Sequence, residues 1–375
     1  MYIDQVELLC IELAKKLFKA EFADVRPISG VCANLVAYTA FTNPGDRMLS
    51  LAIPNGGHIS YGKMKLGGTA GAVRGLVVEY LPFNYEEMNV DVDKAKAKIE
   101  RMAKKEGAPP KLVMFGASVF PFPHPVKELA DAIHDVGAFV CYDAAHVAGL
   151  IAGGEFQDPL KEGADVVTAS THKTLFGPQG GLVLSWEKYA ERIKRATFPG
   201  NVSNHHLHHL AGKAVAFAEM LAFGKAYARQ VVRNAKALGQ ALHERGFKVL
   251  GEKRGFTQSH VLIIDISEYG DGKTIEERLE RANIILNRNL LPYDLKFGRH
   301  FDAPGGIRCG LSECTRLGME ESDMIQIAEF MERVVIKKEA PEKVKEDVVE
   351  FRRGFQKIHY AFDTAREAYE YVQIR

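Results

Sequence analysis

A chain of 375 residues, 46% hydrophobic and 26% charged, is long enough to bury a large core and to divide into two or three units, and it is not disordered in bulk. Its 49 Lys and Arg against 48 Asp and Glu leave a formal charge of +1, which excludes an overall field steering it to nucleic acid or an acidic membrane and favours a small-molecule ligand. Five scattered cysteines (Cys10, Cys32, Cys141, Cys309, Cys314), an amino terminus unlike a signal peptide, and no segment of membrane-spanning length predict a reduced, cytoplasmic protein.

Val6, Leu9, Leu13 and Leu17 recur at helical spacing, so the chain opens inside an amphipathic helix. Ser29 and Gly30 then precede a predicted helix over Val31–Phe41. The free N–H groups and dipole of such a terminus suit a phosphate, and a plain cap is the competing reading. A strand over Met48–Ile53 leads to Gly56, Gly57 and His58. Paired glycines let backbone approach a ligand and present His58 to stack on a flat ring; a turn with an incidental surface histidine is the alternative.

Strands over Gly75–Leu81 and Leu112–Gly116 alternate with helical patterns such as Val92–Lys105, which predicts a parallel sheet covered on both faces. A strand over Ala138–Tyr142 delivers Asp143 at its carboxyl end, with His146 three residues on. That edge is where open α/β sheets hold ligands, so Asp143 is either a helix cap or the partner of a protonated ring nitrogen.

In the stretch from residue 164 to 186, Lys173 follows a buried strand (Asp165–Thr168) and precedes a loop with Gly177, Pro178, Gly180 and Gly181. Flanked by Thr171, His172 and Thr174, it is a candidate nucleophile toward a carbonyl, because a partly desolvated lysine loses proton affinity. A solvated loop lysine is the alternative. His205, His208 and His209 fall at i, i+3 and i+4 and suggest a metal, but no carboxylate or thiolate stands beside them in sequence, and a loop-to-helix start at a subunit contact explains them as well; no metal is predicted.

An amphipathic helix over Ala226–Arg245 then leads to a smaller unit with a strand at Val261–Ile266, a helix around Glu276–Ala282 and the run GGIRCG. Arg308 in that run is either in a structural ion pair or a bidentate clamp for a substrate carboxylate. The expected division is 1–225, 226–340, and a charged helical extension over 341–375. No Walker-type loop, dinucleotide fingerprint or internal repeat is present.

DAAH, THKT and IRCG, in that order, follow the logic of a pyridoxal phosphate enzyme of the aspartate aminotransferase fold type. From about Tyr2 to Val335 the chain resembles serine hydroxymethyltransferase, most closely its archaeal branch, in SGVCANLVAYTA, PNGGHISYG, YDAAHVAGLIAG, THKTLFGPQGG, ANIILNRNLLP and GGIRCGLSECTRLGM. The resemblance implies a three-layer fold type I architecture, with a mostly parallel large-domain sheet and a smaller α+β carboxyl-terminal domain. It implies Lys173 as the Schiff-base lysine, with Thr171 and His172 just before it in the cofactor site, and Asp143 against the pyridine nitrogen. His146 and Ser118 are expected near the phenolic oxygen, His58 on the ring, and Ser29, Gly30 and the Val31 backbone at the phosphate. Arg308 is expected at the amino-acid carboxylate, and Asn289, Gly56 and Gly57 at a reduced pterin of the tetrahydrofolate or tetrahydromethanopterin type.

The implied activity is interconversion of serine and glycine by a cytoplasmic homodimer with a shared active site. The alternatives are a pterin-independent aldolase for threonine or allo-threonine, and an inactive cofactor-binding partner or fragment. The chain departs from the family at Val31, in place of a second phosphate-binding serine, at Tyr61, in place of a histidine, and at Ser203–His206, in place of a Gly-Gly-Pro by which the partner reaches the phosphate. Met1 with the following Tyr-Ile-Asp resembles the middle of a family block, and a shortened start lacking a tyrosine and a glutamate is the expectation there.

Overall fold

Apolar runs buried along all or nearly all of their length, among them Leu112–Gly116, Phe139–Asp143 and Val166–Ser170, form the centre of the molecule. Strands buried on both faces read as unbroken apolar sequence rather than as alternation. The computed structural model describes residues 2–104 and 107–371; Met1, the predicted helix end at Lys105 and residues 372–375 lie outside the described residues.

The strands are β1 (Phe22–Asp24), β2 (Arg47–Ser50), β3 (Val77–Tyr80), a short ribbon of β4 (Phe83–Asn84) and β5 (Asn89–Val90), then β6 (Leu112–Gly116), β7 (Phe139–Asp143), β8 (Val166–Ser170) and β9 (Gly181–Ser185). A second group comprises β10 (Lys248–Val249), β11 (Val261–Asp265), β12 (Asn287–Asn289) and β13 (Gly306–Gly310). The helices are α1 (Tyr2–Phe18), α2 (Gly30–Phe41), α3 (Val92–Lys104), α4 (Val126–His134), α5 (Ala148–Ala152), α6 (Ala190–Arg195) and α7 (Leu207–Glu244), followed by α8 (Gly272–Arg281), α9 (Ser312–Arg316), α10 (Glu321–Val335), α11 (Pro341–Arg353) and α12 (Ala365–Tyr371).

The large sheet has the order β1-β9-β8-β7-β6-β2-β3. The neighbours from β8 across to β3 pair in parallel, while β9 runs antiparallel to both β8 and β1. This is the mostly parallel sheet expected from the alternating strands and helices, with one reversed strand near its edge. Successive residues of β7 face opposite layers: Val140 and Tyr142 join the core that includes α1, α4, α5 and α7, while Cys141 joins the core under α2 and α6. The sheet is therefore the middle of three layers. Each fully buried Val, Leu or Phe in those layers contributes roughly 1.5–3 kcal/mol, which makes the sheet a rigid mount for the residues at its ends.

The smaller sheet, β10-β11-β13-β12, is antiparallel throughout. α7 links the two sheets: the first core takes its residues as far as Val231 and the second begins at Ala235. At 38 residues α7 is far longer than the helix predicted over Ala226–Arg245. Its first half is buried on several sides (Ala214, Ala216, Phe217, Ala218, Met220), so it has no polar stripe to reveal a helical period in the sequence. Val344 of α11 is buried in the second core, so the charged segment predicted as a solvated face also contributes an apolar edge. Among the described residues, no helix is long and apolar enough to cross a membrane.

Candidate active site

The carboxyl ends of β6, β7 and β8 and the amino end of α2 close around a cavity of about 160 Å³. Strand carbonyls end and helix amides begin there, which is the usual ligand site of a parallel sheet. Ser29, Gly30, Val31, His58, Ser118, Asp143, His146, His172 and Lys173 all line it, so most of the predicted cofactor residues meet in one place.

Lys173 is half-buried. Burial lowers the pKa of its amine; the Asp143 carboxylate opposes that shift and the Arg308 guanidinium adds to it. The loop that carries it is pinned on both sides. The Thr174 hydroxyl donates to the His146 carbonyl (2.9 Å) and accepts the Gly149 N–H (3.0 Å), joining the lysine loop to α5. The Thr171 hydroxyl donates to the Pro178 carbonyl (2.7 Å), so its side chain braces the loop and, unlike that of the exposed His172, does not line the cavity.

Asp143 is 6% exposed. Its Oδ1 accepts the Ala145 N–H (2.9 Å) and its Oδ2 accepts the Asn34 amide (2.9 Å). The cap reading and the ligand reading are thus compatible, because a carboxylate has acceptor capacity beyond two bonds. Asn34 also donates to Ser60 Oγ (2.9 Å) and accepts from the Thr168 hydroxyl (2.6 Å), so α2, β8 and the turn after His58 jointly fix the carboxylate. Sequence reading passed over Asn34, whose polar role is invisible inside an otherwise apolar helix.

His58 Nδ1 accepts the Ser60 N–H (3.1 Å), which places the ring proton of the neutral form on Nε2. Burial lowers its pKa; Asp143 opposes this, while Lys173 and Arg308 reinforce it. His146 is held well below the usual histidine range by burial and then by Lys173. Its ring stacks on His260, centroids 5.8 Å apart and planes 24° apart. His260 stands just before β11 and so comes from the other sheet. Tyr61, where the family pattern has histidine, is buried and donates to the Gly116 carbonyl (3.1 Å), forming a wall of the cavity.

Ser29 is the N-cap of α2, its Oγ accepting the Cys32 N–H (3.1 Å). The Gly30 and Val31 amides open the helix and have no intrahelical partner. A Cβ on Gly30 would meet Ser170 Oγ, so a larger residue at the helix end would make that hydroxyl turn away.

Past His58 and Ser118 a second cavity, about 390 Å³, is lined by Gly56, Gly57, Asn289 and Arg308. Arg308 on β13 donates from Nε to Asn287 Oδ1 (3.0 Å) and from Nη1 to the Ser118 carbonyl (2.9 Å). Among the described residues no carboxylate lies within ion-pairing distance of it, and burial lowers its pKa. A desolvated guanidinium engaged only by neutral acceptors is suited to an incoming carboxylate.

The histidine cluster differs from its sequence reading. α7 begins at Leu207, so His205 is outside the helix, and the expected absence of a neighbouring carboxylate is corrected by Glu7 of α1, whose Oε2 lies 3.0 Å from His205 Nε2. Tertiary packing brings that acid from nearly 200 positions away in sequence. Among the described residues no group of three or more His, Cys, Asp or Glu is placed to hold a metal ion.

A half-buried amine of lowered proton affinity, a buried carboxylate and an open helix amino end around one cavity fit the aldehyde, ring nitrogen and phosphate of pyridoxal phosphate. The comparisons with known proteins agree. The family model described as serine hydroxymethyltransferase matches residues 1–331. The serine hydroxymethyltransferase of Nitrosopumilus maritimus is 59% identical over 375 residues, covering 100% of this chain and 85% of that protein. That of Methanocaldococcus jannaschii is 54% identical, covering 99% of this chain and 85% of that protein. The crystal structure of L-threonine transaldolase from Pseudomonas fluorescens in the internal aldimine state superposes with a TM-score of 0.85 at 30% identity, over 99% of this chain and 80% of that one. Fold, cavity and sequence thus converge, and the chain belongs to the serine hydroxymethyltransferase family of pyridoxal phosphate enzymes.

Proposed function

We propose that Lys173 holds the cofactor in this serine hydroxymethyltransferase, with Asp143, His58, His146 and Arg308 dividing the remaining work. The observation that carries the reading is the meeting of Lys173, Asp143 and the α2 amino end around one cavity. Bound pyridoxal phosphate supplies an electron-accepting ring that takes up the electron pair freed when the Cα–Cβ bond of serine breaks. Lys173, its proton affinity lowered by burial, releases its proton more readily than an exposed lysine and so is suited to act as nucleophile and then as proton acceptor. Asp143, clamped by Asn34 and Ala145, would keep a proton on the ring nitrogen.

Arg308 would fix the substrate carboxylate, which orients the bond to be broken. His58 would face the ring with a neutral imidazole, and His146 and Ser118 would stand at the phenolic oxygen. Ser29, Gly30 and Val31 would hold the phosphate at the helix end. The one-carbon acceptor is a reduced pterin of the tetrahydrofolate or tetrahydromethanopterin type, bound in the second cavity against Asn289, Gly56 and Gly57. Exposed Tyr2, Ile3 and Leu8 on α1 support burial against a second copy in a homodimer with a shared active site. Five free thiols support a reduced, cytoplasmic setting.

Replacing Lys173 by alanine is expected to abolish the borohydride-trappable bond to the cofactor and to lower serine cleavage by about a thousandfold or more. Retention of both by the variant would sink the assignment.

A further inference from the structure

Lys213, in the second turn of α7, is 2% exposed. Among the described residues it has no carboxylate within ion-pairing distance; its Nζ donates to the carbonyls of Val25 (2.8 Å), Gly181 (3.1 Å) and Pro27 (3.5 Å). The Gly181 N–H in turn donates to Pro27 (2.8 Å), so the lysine closes a knot among three separate segments. Two residues beyond Pro27 stands Ser29, the cap of α2. A Cβ on Gly180 would strike the Lys213 side chain and lie 3.0 Å from Thr171 Oγ1, so the ammonium sits directly behind the junction of the phosphate corner and the lysine loop.

An ammonium taken out of water and engaged only by carbonyl dipoles lacks a counter-charge. Asp24, the carboxylate whose charge acts on Lys213, is already bound by Arg26 at 2.6 Å. Burial lowers the Lys213 pKa to about 8, with Cys10 and Asp24 opposing the shift. The titratable and charged groups around it are Cys10 on α1 with Glu7 beyond it, Asp24 and Arg26 on the stretch leaving β1, and His209 one turn earlier in α7. None of them gives the ammonium a free anion, and a phosphate dianion at Ser29 and Gly30 would.

We propose that Lys213 is a positioning residue for the phosphate corner, tying residues 25–27 to β9 and α7 and placing a positive charge behind the Ser29–Gly30 turn. The inference rests on the cofactor-site reading above. It implies linkage: a bound phosphate ester raises the proton affinity of Lys213, so phosphate-ester affinity falls as pH rises through the lysine's titration.

The test uses the full chain freed of cofactor and two probes that form no bond with Lys173: pyridoxamine 5′-phosphate and phosphate-free pyridoxamine. Lys213→Met is expected to weaken binding of the phosphate ester about tenfold, the scale of one charge acting on another across a partly desolvated gap. Pyridoxamine affinity is expected to change by less than about twofold. The wild-type chain is expected to lose phosphate-ester affinity between about pH 7 and 9, where the ligand remains a dianion, and Lys213→Met to show no such slope. If Lys213→Met does not fold, Lys213→Gln, which keeps a donor without the charge, takes its place and is expected to show the same selective loss. Equal loss of both probes, or a variant that keeps the wild-type preference and pH slope, overturns the role of Lys213. A wild-type chain with no preference for the phosphate ester overturns instead the cofactor site itself.

Discussion

His124 lies buried beside the active-site strands, its Nδ1 accepting the Gly116 N–H at 3.1 Å, and burial holds its pKa down to about 3. An unfolded histidine titrates near 6.5, so between these values the unfolded chain binds a proton that the folded chain does not. Stability therefore falls as pH drops below about 6.5, by about 2 kcal/mol for this one residue by pH 5. His146 and His260, both lowered by burial, act in the same direction. Urea unfolding at a series of pH values is expected to give a midpoint that declines from pH 7 to 5. In His124→Asn, whose amide oxygen replaces Nδ1 as acceptor, the decline is expected to be shallower; identical slopes would remove His124 from this account. At this scale the residues proposed to react were legible, because Asp143 ends a strand, Lys173 follows one by three residues, and their chemistry is carried by residue type. Their supports were not: Asn34 reaches Asp143 across 109 positions, and Asn287 is opposite Arg308 only through strand register.

The joint between α5 and the lysine loop governs the site at the level of elements. Gly149 of α5 is so close to the loop that an added methyl would collide with the Thr174 carbonyl. Gly149→Ala is expected to destabilise the fold by about 1–3 kcal/mol, the usual range for overpacking, and to displace Lys173 enough to release cofactor on gel filtration. Unchanged unfolding midpoint and cofactor content would mean that the loop yields without consequence. The strands ending at Gly116, Asp143 and Ser170 were readable as apolar runs with turn residues after them. The reversed direction of β9 was not, since a short, mostly apolar run looks the same whichever way it pairs. Neither was the first half of α7, whose burial on several sides removes the amphipathic signal.

Two sheets bring the whole site together. Lys173 and Asp143 stand on the large sheet, Arg308 and Asn289 on the small one, and α7 carries both cores. We retain as a proposal the division into 1–225, 226–340 and 341–375, with its first seam inside α7. Cofactor-only aldol cleavage is the rival to pterin-dependent transfer, because it needs the same lysine, aspartate and arginine but no pterin. Serine cleavage measured with and without tetrahydrofolate or tetrahydromethanopterin separates them: at least about a tenfold stimulation is expected, in keeping with a co-substrate that takes part in the reacting complex. Equal rates would favour the aldolase. Sedimentation of the holoenzyme is expected to give twice the chain mass, and a monomer retaining full activity would exclude a shared site.

The sequence by itself determined which groups are proposed to react: a lysine just past a strand, a strand-end aspartate thirty residues before it, and an arginine in a later apolar run, because reactive groups are written as residue types and strand ends as composition. Only the tertiary structure decided which groups restrain them. Asn34 on Asp143, His260 on His146, Asn287 on Arg308 and Lys213 behind Ser29 are contacts between distant segments. Such contacts arise from packing and register, which no local pattern of residues encodes.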